Sequence, residues 1–385
     1  MAASSSARIA ARMTMMPDVQ FSRRAMLAAG AALAGCKPKL AKRFNGYCFV
    51  ANKGSRTLAV VNLTRFRVDK QIALEAAPDS VMSYTEGNSM VALLPDLGTV
   101  VEVPSATLVI GRRKKLAAHA TSMRLTGRQL WVLCRDPQRL ERLDLQTWQQ
   151  GRGTALPHAA ADFDIAPDGS AAIVSFAGRK QCWLIDLLTN KTISEIALAT
   201  EPGIVRFRPD GKQVLIGSPA GKTITAVDRV TGRVQVTLPM PIAPERFCFT
   251  TDNGGQMFST GAGMDAVCIV APYQTELGQT ILAGRQPGAM TVNDTLLFVA
   301  NPTTGDVTVI EILSQQVIAR ISSGEGPCAI ALTPDGEYGL VLNRISGNLA
   351  VVRLSKLNDL RYKRAPLFTV IPVGEEPVDA AVCRI

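Results

Sequence analysis

The sequence predicts an all-β chain, a β-propeller of four-stranded blades, and three observations carry that prediction. First, one tight-turn motif recurs as Thr85-Glu86-Gly87, Pro167-Asp168-Gly169, Pro209-Asp210-Gly211, Thr251-Asp252-Asn253 and Pro334-Asp335-Gly336. Asp168, Asp210 and Asp252 are 42 residues apart, and Glu86 and Asp335 fall two units out on either side. Second, FVANKGSRTLAVVNL at 49–63 returns as FVANPTTGDVTVIEI at 298–312, so one phrase occupies the same slot in two copies of a unit. Third, no long amphipathic helix appears after residue 45. A repeat of about 40–45 residues holding four strands is the signature of a propeller blade.

The elements follow in order. The unit from Pro202 contains the apolar runs IVRFRP, QVLIGSP, TITAVDR and VQVTLP, rich in β-branched residues. Asp210-Gly211, Pro219-Ala220-Gly221 and Thr231-Gly232 separate them, and these residues tolerate the positive φ of tight turns. First strands begin near Pro78, His119, Ala160, Pro202, Pro244, Pro287, Pro327 and Pro377. The last unit stops one strand later, at Ile385, while three strands (YCFVANK, TLAVVNL, QIALEA) precede Pro78. Pairing the final strand with those three completes a blade and leaves no open edge. The count is eight blades. Seven is the alternative, with the units from Pro78 and His119 the weakest. Residues 355–366 are an insertion between the outer two strands of the last whole unit.

The N-terminus reads differently. Residues 1–36 have a signal-peptide layout, 37–44 form a linker, and 45–385 form one propeller domain. In FSRRAMLAAGAALAGC (21–36) an arginine pair precedes an apolar run too short to span a bilayer. The stretch around Arg23 and Arg24 resembles the twin-arginine export motif, and Leu33-Ala34-Gly35-Cys36 resembles a bacterial lipobox. Those resemblances imply cleavage before Cys36 and lipidation of its thiol. The expected location is the periplasmic or cell-surface side of a bacterial membrane, held by a lipid anchor alone.

The repeat itself resembles the YVTN family of β-propeller proteins. The residues that carry this are Ile321-Ser322-Ser323-Gly324-Glu325-Gly326-Pro327, then Pro334-Asp335-Gly336, then Leu340-Val341-Leu342-Asn343. The resemblance covers 45–385. It implies a propeller but no particular activity, because such propellers include envelope proteins, lactonase-like enzymes and redox enzymes.

The chain is 47% hydrophobic and 19% charged, as a folded protein is, with a net charge of +10. Four arginines and one aspartate precede residue 36, which leaves +7 on the rest of the chain. Aromatic residues make up only 5%, with no stacking series among the charges, so nucleic acid is not an expected partner. The loops entering each first strand and joining strands two and three should share one face of the ring. That face is expected to carry Lys53, Arg56, Arg135, Arg179, Lys180, Lys222, Arg285 and Arg344, a basic surface for an anionic partner. Asn52, Asn301 and Asn343 are expected to be structural, each bonding its own backbone at a strand end.

Catalytic signals are thin. Glu201, Glu245 and Arg246 are the best candidates for a hydrolase cluster. His119 and His158 are the only histidines, at first-strand starts of consecutive blades. They are the candidate metal or cofactor ligands, and Asp162 and Asp164 could join them. A metal site ordinarily needs more ligands. Seven cysteines follow Cys36 with no C-x-x-C-H motif, so covalent haem is not expected. Cys48 and Cys383 should lie on neighbouring strands of the composite blade. No nucleophile elbow or phosphate loop appears. The reading is a monomeric, envelope-anchored binding or scaffold propeller without a cofactor. Its partner would be an envelope protein, a glycan or a small anionic ligand. The alternative is a periplasmic enzyme, either a lactonase-like hydrolase or an oxidoreductase with a non-covalent cofactor over the channel.

Overall fold

The computed structural model describes residues 44–250, 255–271, 277–357 and 366–384. Its strands form eight antiparallel sheets arranged as a ring. Blade 1 is composite: Pro377–Arg384 is innermost, followed outward by Gly46–Asn52, Thr57–Asn62 and Arg67–Ala73. Blades 2 to 8 span 80–115, 119–155, 160–197, 205–239, 246–282, 290–322 and 327–372. First strands start at His119, Ala160, Pro327 and Pro377 as the sequence predicts, and two or three residues late elsewhere. The fourth strand of blade 3 is broken into Gln149–Gln150 and Thr154–Ala155. The insertion at 355–366 lies between the outer strands of blade 8, and part of it falls outside the described residues. The leader, with Arg23, Arg24 and Cys36, also lies outside them. No helix among the described residues is long and apolar enough to cross a membrane.

Alternation places side chains on the two faces of each sheet, and each face packs against a neighbouring blade. One core joins Cys48, Val50, Ala59 and Val61 of blade 1 to Leu340, Leu342 and Val351 of blade 8. The opposite face of blade 1 packs Phe49, Leu58 and Val60 against Met90, Ala92 and Val101 of blade 2. Each fully buried side chain of this kind contributes about 1.5–3 kcal/mol. Cys48 belongs to the first core and Cys383 to the second, because Cys383 lies opposite Tyr47 and Cys48 opposite Val382. The two thiols are thus on opposite faces of one sheet, and both are free.

The repeated Gly and Asn of the motif form one device. Asn343 and Asn52 are fully buried at the ends of second strands. Asn343 Nδ2 donates to Ser323 O at 2.9 Å, and Asn52 Nδ2 donates to Val373 O at 2.9 Å. Each therefore ties its blade to the end of the preceding blade's outer strand. This corrects the expectation of a bond to the asparagine's own backbone. Gly324 and Gly374 sit at φ 144° and 138°, and a Cβ on either would lie 2.7 Å from the asparagine Nδ2. Glycine is needed there for both conformation and space.

Candidate functional site

Each innermost strand uses one edge to bond its own blade. Its other edge presents N–H and C=O groups to the central channel. Hairpins between strands two and three bond the loops that enter first strands, as Lys53 N does to Glu376 O and Arg344 N to Gly326 O. Both loop sets therefore cluster at one end of the ring, where the channel opens.

The channel is lined unevenly. On blades 3 to 5 it is filled by paired charges. Asp162 and Asp164, on the innermost strand of blade 4, reach across to blade 5. Asp162 Oδ2 accepts Val205 N at 3.2 Å, and Asp164 Oδ2 accepts Phe207 N at 2.8 Å. Arg206 donates to Asp162 Oδ2, while Arg124 of blade 3 lies 3.3 Å from Asp162 and 3.7 Å from Asp164. Burial holds the Arg124 guanidinium below its usual range and raises the Asp164 carboxyl, despite the arginines beside it. These carboxylates cap edge N–H groups and are not histidine partners.

Blade 1 repeats the cap without an arginine in salt-bridge contact, although Arg124 acts on it from across the channel. Asp379 Oδ2 accepts Val81 N at 2.9 Å, and Oδ1 accepts its own neighbour Ala380 N at 2.9 Å. Burial is the main cause that pushes this carboxyl up to about 6, and Asp79 adds to it.

On blades 6 to 8 and blade 1 the channel mouth opens into a cavity of about 500 Å³. Ala289, Met290, Cys328, Ala329, Ile330, Val378 and Asp379 supply its inner-strand wall, and Arg246, Arg344, Lys53 and Asp79 its rim. Lys53 Nζ lies 3.9 Å from Asp79. Arg246 and Arg344 are exposed and make no ion pair among the described residues. Burial pushes the Cys328 thiol up to about 11, so it is held neutral rather than as a nucleophilic thiolate. Arg246 also borders a second cavity of about 710 Å³, lined by Glu245, Met264, Asp265 and Arg285. Its charges balance within that residue set.

The candidates from sequence distribute as follows. Lys53, Arg246 and Arg344 line the mouth cavity, and Arg285 and Glu245 its neighbour. Arg135 and His119 share a small cavity of about 240 Å³ with Asp96 on the other side of blade 1. Arg56 and Lys222 occupy left-handed hairpin positions, at φ 52° and 47°, away from the mouth cavity. Arg179 and Lys180 are exposed beside the blade 4 hairpin, also off that cavity. Glu201 Oε1 accepts Gly178 N at 2.6 Å, so that carboxylate closes a turn and is separated in role from Glu245 and Arg246. His158 packs edge-on against Phe176, 5.8 Å between ring centres. Among the described residues neither histidine belongs to a group of three or more potential metal ligands. Sequence reasoning missed Arg124, Arg206 and Asp379. Their signal is a charged residue inside an otherwise apolar first strand.

No protein-family model and no curated protein matches the chain in sequence. Solved structures do match its fold. It is similar to dihydro-heme d1 dehydrogenase NirN in complex with DHE, at TM-score 0.71 and 14% identity over 87% of this chain and 74% of that one. It also resembles a functionally unknown protein from Desulfotomaculum acetoxidans, at TM-score 0.56 and 15% identity over 88% and 99%. Kuenenia stuttgartiensis hydrazine synthase matches at TM-score 0.54 and 17% identity, over 72% and 95%. The chain is an eight-bladed β-propeller. At these identities the likeness is one of fold.

Proposed function

We propose that the protein is an exported, lipid-anchored propeller of the YVTN type that binds a small anionic ligand at the channel mouth and does not transform it. One observation carries this reading: Arg246 and Arg344, neither in an ion pair among the described residues, line one cavity at the channel mouth. Two guanidinium groups on one concave surface attract an anion and can grip it through paired N–H donors. The twin-arginine and lipobox resemblances support the envelope location. The test is titration calorimetry of the purified protein with sodium sulfate at low ionic strength. Binding should be lost in the Arg246→Ala, Arg344→Ala double variant. It should persist in the Arg179→Glu, Lys180→Glu control, whose residues lie off the cavity. No binding by the wild-type protein would end this reading.

A second reading is an oxidoreductase that holds a non-covalent cofactor over the channel. The fold similarity to NirN, whose name specifies dihydro-heme d1, favours it. The residues fit such a group only in part: His119 sits beside a small cavity, and His158, in the loop entering blade 4, is packed against Phe176. An absorption spectrum of protein purified from its native membrane separates the two readings.

A further inference from the structure

One position on each innermost strand decides whether the next blade's edge N–H is capped. It lies opposite the second-strand residue just before that blade's hairpin. In blade 1 it is Asp379, opposite Ala51, and in blade 4 Asp162, opposite Ser175. Both aspartates cap the following blade, at Val81 and Val205. In blades 6, 7 and 8 the same position holds Arg246 opposite Thr260, Ala289 bonded to Ala300, and Ala329 opposite Leu342. An arginine cannot accept a hydrogen bond and an alanine does not reach.

The N–H groups corresponding to Val81 and Val205 are those of Met290 in blade 7 and Ile330 in blade 8. Backbone bonding sets their direction. Ala300 N donates to Ala289 O and Asn293 N to Leu296 O, so the odd-numbered residues face the second strand and the Met290 N–H faces the channel. Thr333 N donates to Tyr338 O, which turns the Ile330 N–H the same way. Neither N–H has a protein acceptor among the described residues. Arg246, Ala289, Met290, Ala329 and Ile330 all line the mouth cavity. The cavity thus lies where the channel-facing N–H groups of blades 7 and 8 have no carboxylate beside them, whereas blades 1 and 4 each supply one to the blade that follows.

We infer that the ligand is a small dicarboxylate, whose carboxylates take the place of the missing aspartates on the Met290 and Ile330 N–H groups, beneath Arg246 and Arg344. A planar carboxylate suits this slot because the protein's own carboxylates fill it elsewhere, one oxygen on the edge N–H. The guanidinium fork also matches that plane. Lys53 supplies a third positive charge. Asp79 and Asp379 repel the ligand from the blade 1 side and hold it towards blades 7 and 8. This inference rests on the anion-binding reading above and names its ligand class.

The experiment is calorimetry of the full chain at neutral pH with glutarate, acetate and sulfate as probes. Glutarate should bind about tenfold tighter than either control, reflecting two charge-assisted contacts instead of one. Ala289→Asp installs a carboxylate beside the Ile330 N–H, as Asp379 stands beside Val81. It should weaken glutarate by about tenfold or more and leave the melting temperature unchanged or higher. Ala289→Met fills the same space without charge and should weaken glutarate as well. It serves if the aspartate variant does not fold. Sulfate binding as tightly as glutarate, or glutarate binding undiminished in both folded variants, overturns the dicarboxylate and leaves the anion site standing. A wild-type protein that binds none of the three overturns both.

Discussion

Replacing Asp379 with asparagine should stabilise the protein at neutral pH and slightly destabilise it in acid. The carboxyl is raised to about 6, chiefly by burial. In an unfolded chain it titrates near 4. The folded state therefore holds its proton between about pH 4 and pH 6 while the unfolded state releases it. Stability present below pH 4 is lost as pH rises through that window, and the loss then levels off. Two pH units at about 1.4 kcal/mol each give roughly 3 kcal/mol. Asparagine matches the protonated acid in shape and keeps one oxygen for the Val81 N–H, but its NH2 cannot accept from the Ala380 N–H, which costs about 1 kcal/mol at either pH. Asp379→Asn should thus gain about 2 kcal/mol over the wild type at pH 7.5 and lose about 1 kcal/mol at pH 4. Urea titrations at both pH values, followed by circular dichroism, measure it. A variant less stable than the wild type at pH 7.5, or a difference that does not change with pH, would refute the reasoning. The ionised carboxylate would then be an asset to the fold.

Other expectations concern the frame. Gly336, at φ 71° with nothing within 4 Å of a Cβ, should cost about 1 kcal/mol when changed to Ala. Gly324→Ala meets Asn343 as well and should cost about 2–4 kcal/mol; equal costs in thermal melts would remove the interlock role of Asn343. Arg124→Met strips a partner from Asp162 and Asp164 and should cost about 2 kcal/mol, discounted because water reaches part of the pair. Adding Asp164→Asn should recover much of that loss, and a double variant no better than the single would place the cost in packing. Deleting 377–384 should abolish cooperative unfolding, and grafting that strand ahead of Gly46 should restore it. A deletion that melts sharply would show that blade 1 closes without its inner strand.

The ring was largely legible because its signals are local and repeated. Turn residues every 42 positions and apolar runs between them fix four strands per unit, and the surplus strands at the two ends leave only one way to close. The site was less legible, for a radial reason. Arg179 and Arg344 both belong to second-to-third-strand hairpins, and sequence sees them as equivalent. Only Arg344 turns onto the mouth cavity. Arg246 looked like a partner for Glu245, because its position opposite Thr260 depends on a pairing between strands. The asparagines were read as structural, yet their bonds cross to another blade, a distance no local pattern encodes. Arg124, Arg206 and Asp379 sit in first strands that hydropathy treats as ordinary. Nothing local marks the strand edge that has no neighbour to pair with.

Blade 1 also sets an order in time. Its outer three strands are the first part of the propeller that a ribosome makes, and its inner strand is the last. Asn52 and Val373, joined by a hydrogen bond, are 321 residues apart in the chain. The entropic penalty of closing so long a loop grows only logarithmically, so the delay matters more than the energy. Until residues 377–384 emerge, Gly46–Asn52 has an unsatisfied edge, the kind that recruits other strands. The closing strand is therefore a checkpoint on the ring. A propeller that lacks it carries an adhesive seam, which a protease or chaperone can recognise, and only pairing of residues 377–384 with Gly46–Asn52 seals it.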